Sequence, residues 1–244
     1  MLLDYIKLMQ DAADLKEGYA AAQPFPHIVL DNFLPERALQ MLLDGFPPPD
    51  SVIWKGVDSE HTKSKQDTRY AVGNTKDILF GRARPVFMEL TSGSFAGFLN
   101  QLTGIEYLLP DPYYVEGGFH VVGNGGKLDP HADFSHHKFT GLERRVNLLL
   151  YLNPDWTHGG SLTLYDKNCR PQVDIEPILN RCVIFSTSAT SFHGHPIPMT
   201  LPDGVKRRSL ALYYYKLSAD RPRHKIIFPE FAPLAAAGNR AIGE

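Results

Sequence analysis

A chain of 244 residues, 43% hydrophobic and 21% charged, is long enough to bury a full core and has the make-up of a globular protein. A formal net charge of −2 offers no basic face for nucleic acid or an anionic membrane surface, and no apolar run approaches the roughly 20 residues of a membrane span. Two cysteines, Cys169 and Cys182, are too few for a disulfide framework and are not spaced as a zinc knuckle, so the expectation is one domain with packed thiols in the reducing cytoplasm.

Residues 2–17 set Leu2, Leu3, Ile6, Met9, Ala13 and Leu15 at helical intervals, predicting an amphipathic helix. A proline-bounded β-rich run follows from Gln23 to Phe33. Pro35-Glu36-Arg37 then opens a helix to about Leu43 that Pro47-Pro48-Pro49 stops. Residues 50–75 are polar and mixed in charge, with Trp54 in a strand; they read as a long surface loop or hairpin, solvated or serving as a substrate lid. From Asp77 to about Leu102 the apolar pattern predicts two helices broken near Ser92-Gly93. After Gly104, short apolar runs separated by Gly, Pro, Asn and Asp predict a β-sandwich or barrel, and an alanine-rich tail follows about Lys225.

Within the β-rich half, His131 and Asp133 sit two residues apart. In an extended strand they leave the same face and reach one point in space. One further imidazole would complete two histidines and a carboxylate, a set that suits non-haem Fe(II) and leaves coordination positions open. Ser191-Phe192-His193-Gly194-His195-Pro196 offers it, from His193 or from His195. The strand around Arg145–Asn153 puts Asn147, Leu149 and Tyr151 on one face. The strand Arg207–Tyr215 puts Arg207, Ser209, Ala211 and Tyr213 on one face and Arg208, Leu210 and Leu212 on the other.

His131-x-Asp133, His193 and Arg207-x-Ser209, in that order, resemble the 2-oxoglutarate- and Fe(II)-dependent oxygenases, most closely their prolyl-hydroxylase-like branch. The resemblance runs from about Gly123 to Tyr215 and includes Gly123-Asn124-Gly125, Tyr151-Leu152-Asn153-Pro154-Asp155-Trp156 with Gly159-Gly160, and Asp174-Ile175-Glu176-Pro177. A weaker likeness, in Pro24-Phe25-Pro26-His27 and the helical region to Gly104, is similar to the subgroup that modifies a ribosomal protein proline. The resemblance implies a mainly β double-stranded β-helix, or jelly roll, at residues 105–220. Helices in residues 1–104 would support it from outside the major sheet, and residues 221–244 would form a tail.

The resemblance also implies the site. His131, Asp133 and His193 would hold Fe(II), with His195 as the competing third ligand. Arg207, with Arg208 as its competitor, would bind the distal carboxylate of 2-oxoglutarate, since a guanidinium offers paired donors matched to a carboxylate. Ser209 and Tyr151 would add hydroxyl donors. His120, Asn147 and Tyr213 are candidates for contact with substrate; His136 and His137 read as surface loop residues near the site. Val121 departs from the pattern, standing where many members carry a tyrosine near the cosubstrate. The implied reaction consumes O2 and 2-oxoglutarate, yields succinate and CO2, and hydroxylates an unactivated C–H bond, with ascorbate as an accessory cofactor. Its substrate would be a prolyl residue of a protein or peptide, or a small metabolite such as an amino acid or sugar; a non-catalytic metal-binding jelly roll is the third reading.

Overall fold

The protein is described by a computed structural model covering residues 1–48, 54–58, 62–67, 81–111, 113–115 and 117–218, with side chains considered outside 55–58 and 62–67. Helix α1 (Tyr5–Ala21) begins three residues later than the apolar spacing suggests, because the Asp4 side chain accepts from the Lys7 N–H and caps it there. Helix α2 (Glu36–Asp44) follows Pro35. It ends at Gly45, before the prolines expected to stop it; the Gly45 N–H closes onto the Met41 and Leu43 carbonyls. Helices α3 (Arg84–Leu90) and α4 (Gly93–Thr103) are separated where Ser92 caps α4 by accepting from the Phe95 N–H. Gly104, at φ +70°, closes α4 in a left-handed conformation that glycine adopts without a Cβ penalty.

The strands are β1 (His27–Leu30), β2 (Trp54–Asp58), β3 (Thr62–Asp67), β4 (Leu109–Pro110), β5 (Gly118–Val122), β6 (Lys127–His131), β7 (Glu143–Tyr151), β8 (Leu162–Tyr165), β9 (Pro171–Ile175), β10 (Cys182–Ser186), β11 (His193–His195) and β12 (Arg207–Lys216). Their pairings among the described residues are antiparallel and run β1-β10-β7-β12-β5-β3-β6-β11-β8-β9, with β2 on β3 and β4 on β12. Residues 54–58 and 62–67 therefore form a hairpin. Its second strand enters the sheet, pairing Lys65 with Val121 and Thr62 with Leu128. The rest of the expected 50–75 lid, and the expected tail at 221–244, lie outside the described residues.

Alternation along β7, β10 and β12 divides the molecule into layers. Leu148, Leu150, Ile184, Leu210, Leu212 and Tyr214 turn outward and pack with Phe87, Phe95 and Leu99 of the helices in one apolar core. The Tyr214 hydroxyl donates to the Leu90 carbonyl, and Tyr19 of α1 is hydrogen-bonded to Ser186, so polar contacts also fix the helices on the sheet. The inward residues Tyr151, Val183 and Phe185 meet Leu162, Leu164 and Ile175 of the facing strands. The result is the mainly β double-stranded β-helix, with helices outside the major sheet. Burying both faces of β12 over its length holds its register, which decides the side each of its side chains takes.

Candidate active site

Strand β11 lies between β6 and β8, and His193 is paired directly with His131. This approach needs Gly194, because a Cβ there would lie 2.6 Å from the Leu128 carbonyl oxygen and 2.9 Å from that of Asp129. The imidazoles face each other with centroids 4.5 Å apart, and Asp133 completes a group whose ligating atoms all lie within 4.8 Å of one another. His131 Nε2 is 3.5 Å from Asp133 Oδ1, and His193 Nε2 is 3.5 Å from Asp133 Oδ2. His131 Nδ1 lies 2.9 Å from the Asp129 carbonyl and His193 Nδ1 lies 3.0 Å from that of Ser191. A carbonyl accepts only, so each Nδ1 carries the proton and each Nε2 presents a lone pair to the same point. Such a donor set fits a divalent transition metal, and Fe(II) in particular.

The carboxylate is held from behind. Asn147 Nδ2 donates to Asp133 Oδ2 at 2.7 Å, Arg144 Nη2 lies 3.1 Å from the same oxygen, and Arg144 Nε donates to Asn147 Oδ1 at 2.8 Å. The guanidinium of Arg144 stacks 3.5 Å from the Tyr213 ring centroid and 4.5 Å from that of Phe134. Burial raises the Asp133 carboxyl pKa, but Arg144, His193 and His131 together outweigh it and hold it well below the usual carboxylate range. Burial lowers His193 to about 4, so its ring is neutral near pH 7. Two of the residues considered for substrate contact, Asn147 and Tyr213, thus have interior tasks: one orients Asp133 and the other supports Arg144.

Arg144 was not legible from strand alternation. Counting back from Asn147 puts Arg145 inside and Arg144 outside. A β-bulge between the Tyr214–Val146 and Tyr215–Arg144 pairs inserts Arg145 as the extra residue and reverses the order. Arg144 is buried, whereas Arg145 sits near Glu143 at 3.6 Å with its side chain 31% exposed.

On β12, Arg207 and Ser209 are buried and face inward, Ser209 lying opposite both Tyr151 and His120. Arg207 Nε donates to the Gly160 carbonyl at 2.8 Å and Nη2 to the Tyr151 hydroxyl at 3.4 Å; no carboxylate partners this guanidinium among the described residues. Gly160, at φ +67°, has no room for a side chain, since a Cβ there would collide with Met199 Sδ and lie 3.3 Å from Arg207 Cδ. Arg208 points the other way, 5.5 Å from the Phe46 ring centroid, opposite Val121. Val121 therefore lies on the outer side with Arg208, which corrects its expected place beside the cosubstrate. His120 is half-buried.

His136 and His137 are corrected too: both are buried. His136 bonds Ser135 and Ser218, and His137 Nε2 bonds Asp111 while its Nδ1 accepts from the Phe139 and Thr140 N–H groups. They brace the loop that leaves Asp133. His195 is buried beyond His193, and its Nδ1 has no hydrogen-bond partner.

Residues 117–215 match the family model described as the 2OG-Fe(II) oxygenase superfamily. No curated protein matches the sequence at a significant level. Among solved structures, a prolyl hydroxylase from Trichoplax adhaerens, in complex with a hypoxia inducible factor oxygen degradation domain peptide fragment, superposes with a TM-score of 0.57 at 17% identity, covering 86% of this chain and 92% of that one. A Pseudomonas putida prolyl-4-hydroxylase gives 0.55 at 16% identity, covering 84% and 99%. A prolyl 4-hydroxylase from Phytophthora capsici gives 0.57 at 16%, covering 90% and 68%. With this match over the strands that carry the His-Asp-His group, residues 117–215 form a domain of the 2OG-Fe(II) oxygenase type, the unit found in 2-oxoglutarate-dependent dioxygenases, and the chain is prolyl-hydroxylase-like in fold.

Proposed function

We propose that the enzyme hydroxylates an unactivated C–H bond of a prolyl residue in a protein or peptide. In this reading His131, Asp133 and His193 hold Fe(II), and Arg207, Ser209 and Tyr151 hold the distal carboxylate of 2-oxoglutarate. The observation that carries it is the convergence of two Nε2 lone pairs and an ionised carboxylate within 4.8 Å, together with a buried, inward-facing cation that lacks an acid partner among the described residues. Bound Fe(II) with 2-oxoglutarate and O2 would supply the oxidising power. The chain's own residues contribute orientation and exclusion of water. Arg144 and Asn147 fix the Asp133 oxygens, the carbonyls of Asp129 and Ser191 fix the ring tautomers, and Phe185, 4.8 Å from the His193 ring, forms an apolar wall.

The peptide reading draws support from exposed aromatic side chains on the loops near Asp133. Tyr113 and Phe139, 52% and 65% exposed, have ring centroids 6.1 Å apart, and Tyr113 also lies against His137. Open aromatic surfaces of this kind suit proline-rich extended segments. The structures named above are prolyl hydroxylases, one of them in complex with a peptide fragment, and a substrate of that class is what we transfer to this chain. Residues 1–244 act as one catalytic unit in this reading, with ascorbate as accessory reductant and a cytoplasmic setting that suits the free Cys169 and Cys182. Among the described residues no helix is long and apolar enough to cross a membrane. Mass spectrometry of proteins and metabolites from cells with and without the enzyme tests the proposal. A gain of one oxygen on a prolyl residue is expected, whereas a gain confined to an amino acid, sugar or other small metabolite would replace the prolyl substrate.

A further inference from the structure

Among the described residues, two buried side-chain atoms lack a hydrogen-bond partner, His195 Nδ1 and Tyr215 Oη. His195 is 5% exposed and stands two residues from His193 on β11; the register shift between them puts its extra residue on β6, His193 pairing with His131 and His195 with Leu128, so alternation along β11 itself carries the ring to the side of the candidate metal group. The antiparallel pairing of β11 with β8 sets His193 against Leu164 and Gly194 against Thr163, so His195 comes next to the start of β8, close to Gly160, whose carbonyl accepts from Arg207. An imidazole ring has an N–H to give, and its Nδ1 is buried without a hydrogen-bond partner among the described residues. Leaving such a group dry and unpaired is unfavourable unless something else completes it.

Arg207 raises the complementary question. Its guanidinium uses one N–H on a carbonyl and one on a phenol, and no acid partners it among the described residues. Donors lie on the same inner side: the Tyr151 phenol, the Ser209 hydroxyl paired across from it, and the His195 ring on the strand beside β8. An acceptor-only group with several lone pairs is what such a set lacks, and a carboxylate is that group. Resting on the reading of Arg207 as the cosubstrate's cation, we propose that His195 is a further anchor for 2-oxoglutarate, its ring N–H donating to the carboxylate that Arg207 binds. His195 is thereby a cosubstrate-binding residue, and the spacing His193-Gly194-His195 puts a metal-ligand candidate and a cosubstrate donor on one short strand.

The test is calorimetric titration of 2-oxoglutarate into the anaerobic Fe(II)-loaded full chain, for wild type, His195→Leu, His195→Gln and Arg207→Gln, with ligand-free melting temperatures measured alongside. His195→Leu should raise the Kd about tenfold or more, as expected for losing a hydrogen bond to a charged group. Its ligand-free melting temperature should stay level or rise, because a buried unpaired nitrogen is replaced by carbon. His195→Gln, which keeps an N–H donor, should recover most of the affinity. A histidine with a purely structural role would do the reverse, lowering the melting temperature and leaving the Kd alone. That outcome, or a Kd for His195→Leu within twofold of wild type, overturns the proposal. Should His195→Leu fail to fold, nitrogen-15 NMR of the wild-type imidazoles in Zn(II)-loaded protein decides. Adding 2-oxoglutarate should produce a slowly exchanging, hydrogen-bonded ring N–H that is absent from His195→Gln, and its failure to appear overturns the proposal. If wild type does not bind 2-oxoglutarate, or Arg207→Gln binds it normally, the cosubstrate site itself is misassigned. If Arg207→Gln loses binding and the His195 variants do not, only the role of His195 falls.

Discussion

Replacing Arg207 by Gln tests the cosubstrate site with the least ambiguity, because the structure separates it from its neighbour. Arg207 is 5% exposed, donates to Gly160 and Tyr151, and has no acid partner among the described residues, while Arg208 lies on the opposite face over Phe46. Truncating one side of a buried charge-assisted contact costs about 2–5 kcal/mol, or a Kd higher by about thirtyfold to several thousandfold. Thermal denaturation of the Fe(II)-loaded protein reads this out. At a 2-oxoglutarate concentration of about 100 times the wild-type Kd, ligand binding should add about 2.7 kcal/mol and raise Tm by roughly 5–11 °C for a domain of this size. An Arg207→Gln variant with a Kd about a hundredfold higher should gain only about 0.4 kcal/mol at that concentration, a shift of roughly 1–2 °C. Without cosubstrate, Arg207→Gln should be no less stable than wild type, since it removes a buried cation that no carboxylate neutralises. Arg208→Gln should keep the full ligand shift. A small shift in Arg208→Gln beside a full one in Arg207→Gln would refute the assigned register of β12 and remove Ser209 and Tyr213 from the inner face with it.

His131→Ala, Asp133→Ala and His193→Ala should each abolish Fe(II) binding in an anaerobic titration while circular dichroism shows the sheet intact; wild-type affinity in any of them would dismiss that residue as a ligand. Asn147→Leu leaves Asp133 without its 2.7 Å donor and should weaken Fe(II) binding by about 10- to 100-fold, the usual effect of losing a group that orients a ligand. An unchanged affinity would mean that Arg144 alone suffices to aim the carboxylate. The metal-free protein should lose stability as pH falls from about 6.5 to about 4. His193 protonates at about 4 when folded but near 6.5 when unfolded, so in that window the unfolded chain binds the extra proton and stability falls with pH. Urea denaturation of wild type and His193→Gln across this range checks it, the variant being expected to show a shallower decline, and identical profiles would contradict it.

The local order of residues determined much of this molecule. Two side chains two apart on a strand share a face whatever the fold, so His131 and Asp133 were paired in the sequence itself, as were Arg207 and Ser209. The helices at α1, α2, α3 and α4 and the β-rich half were likewise visible in the spacing of apolar residues and in Ser92-Gly93 and Gly104. Tertiary structure decided what depends on distant partners. The pairing of β11 with β6 put His193 opposite His131 across 62 residues, and the contact needs Gly194 because backbone comes too close for a Cβ. Alternation assumes an unbroken ladder, so it misplaced Arg144, which one bulged residue in β7 turns inward to hold Asp133. His136 and His137 read as surface loop residues in the sequence. Asp111, 26 residues before His137, supplies a buried acceptor, and pairing of that kind, invisible in composition, lets an imidazole sit in a protein interior.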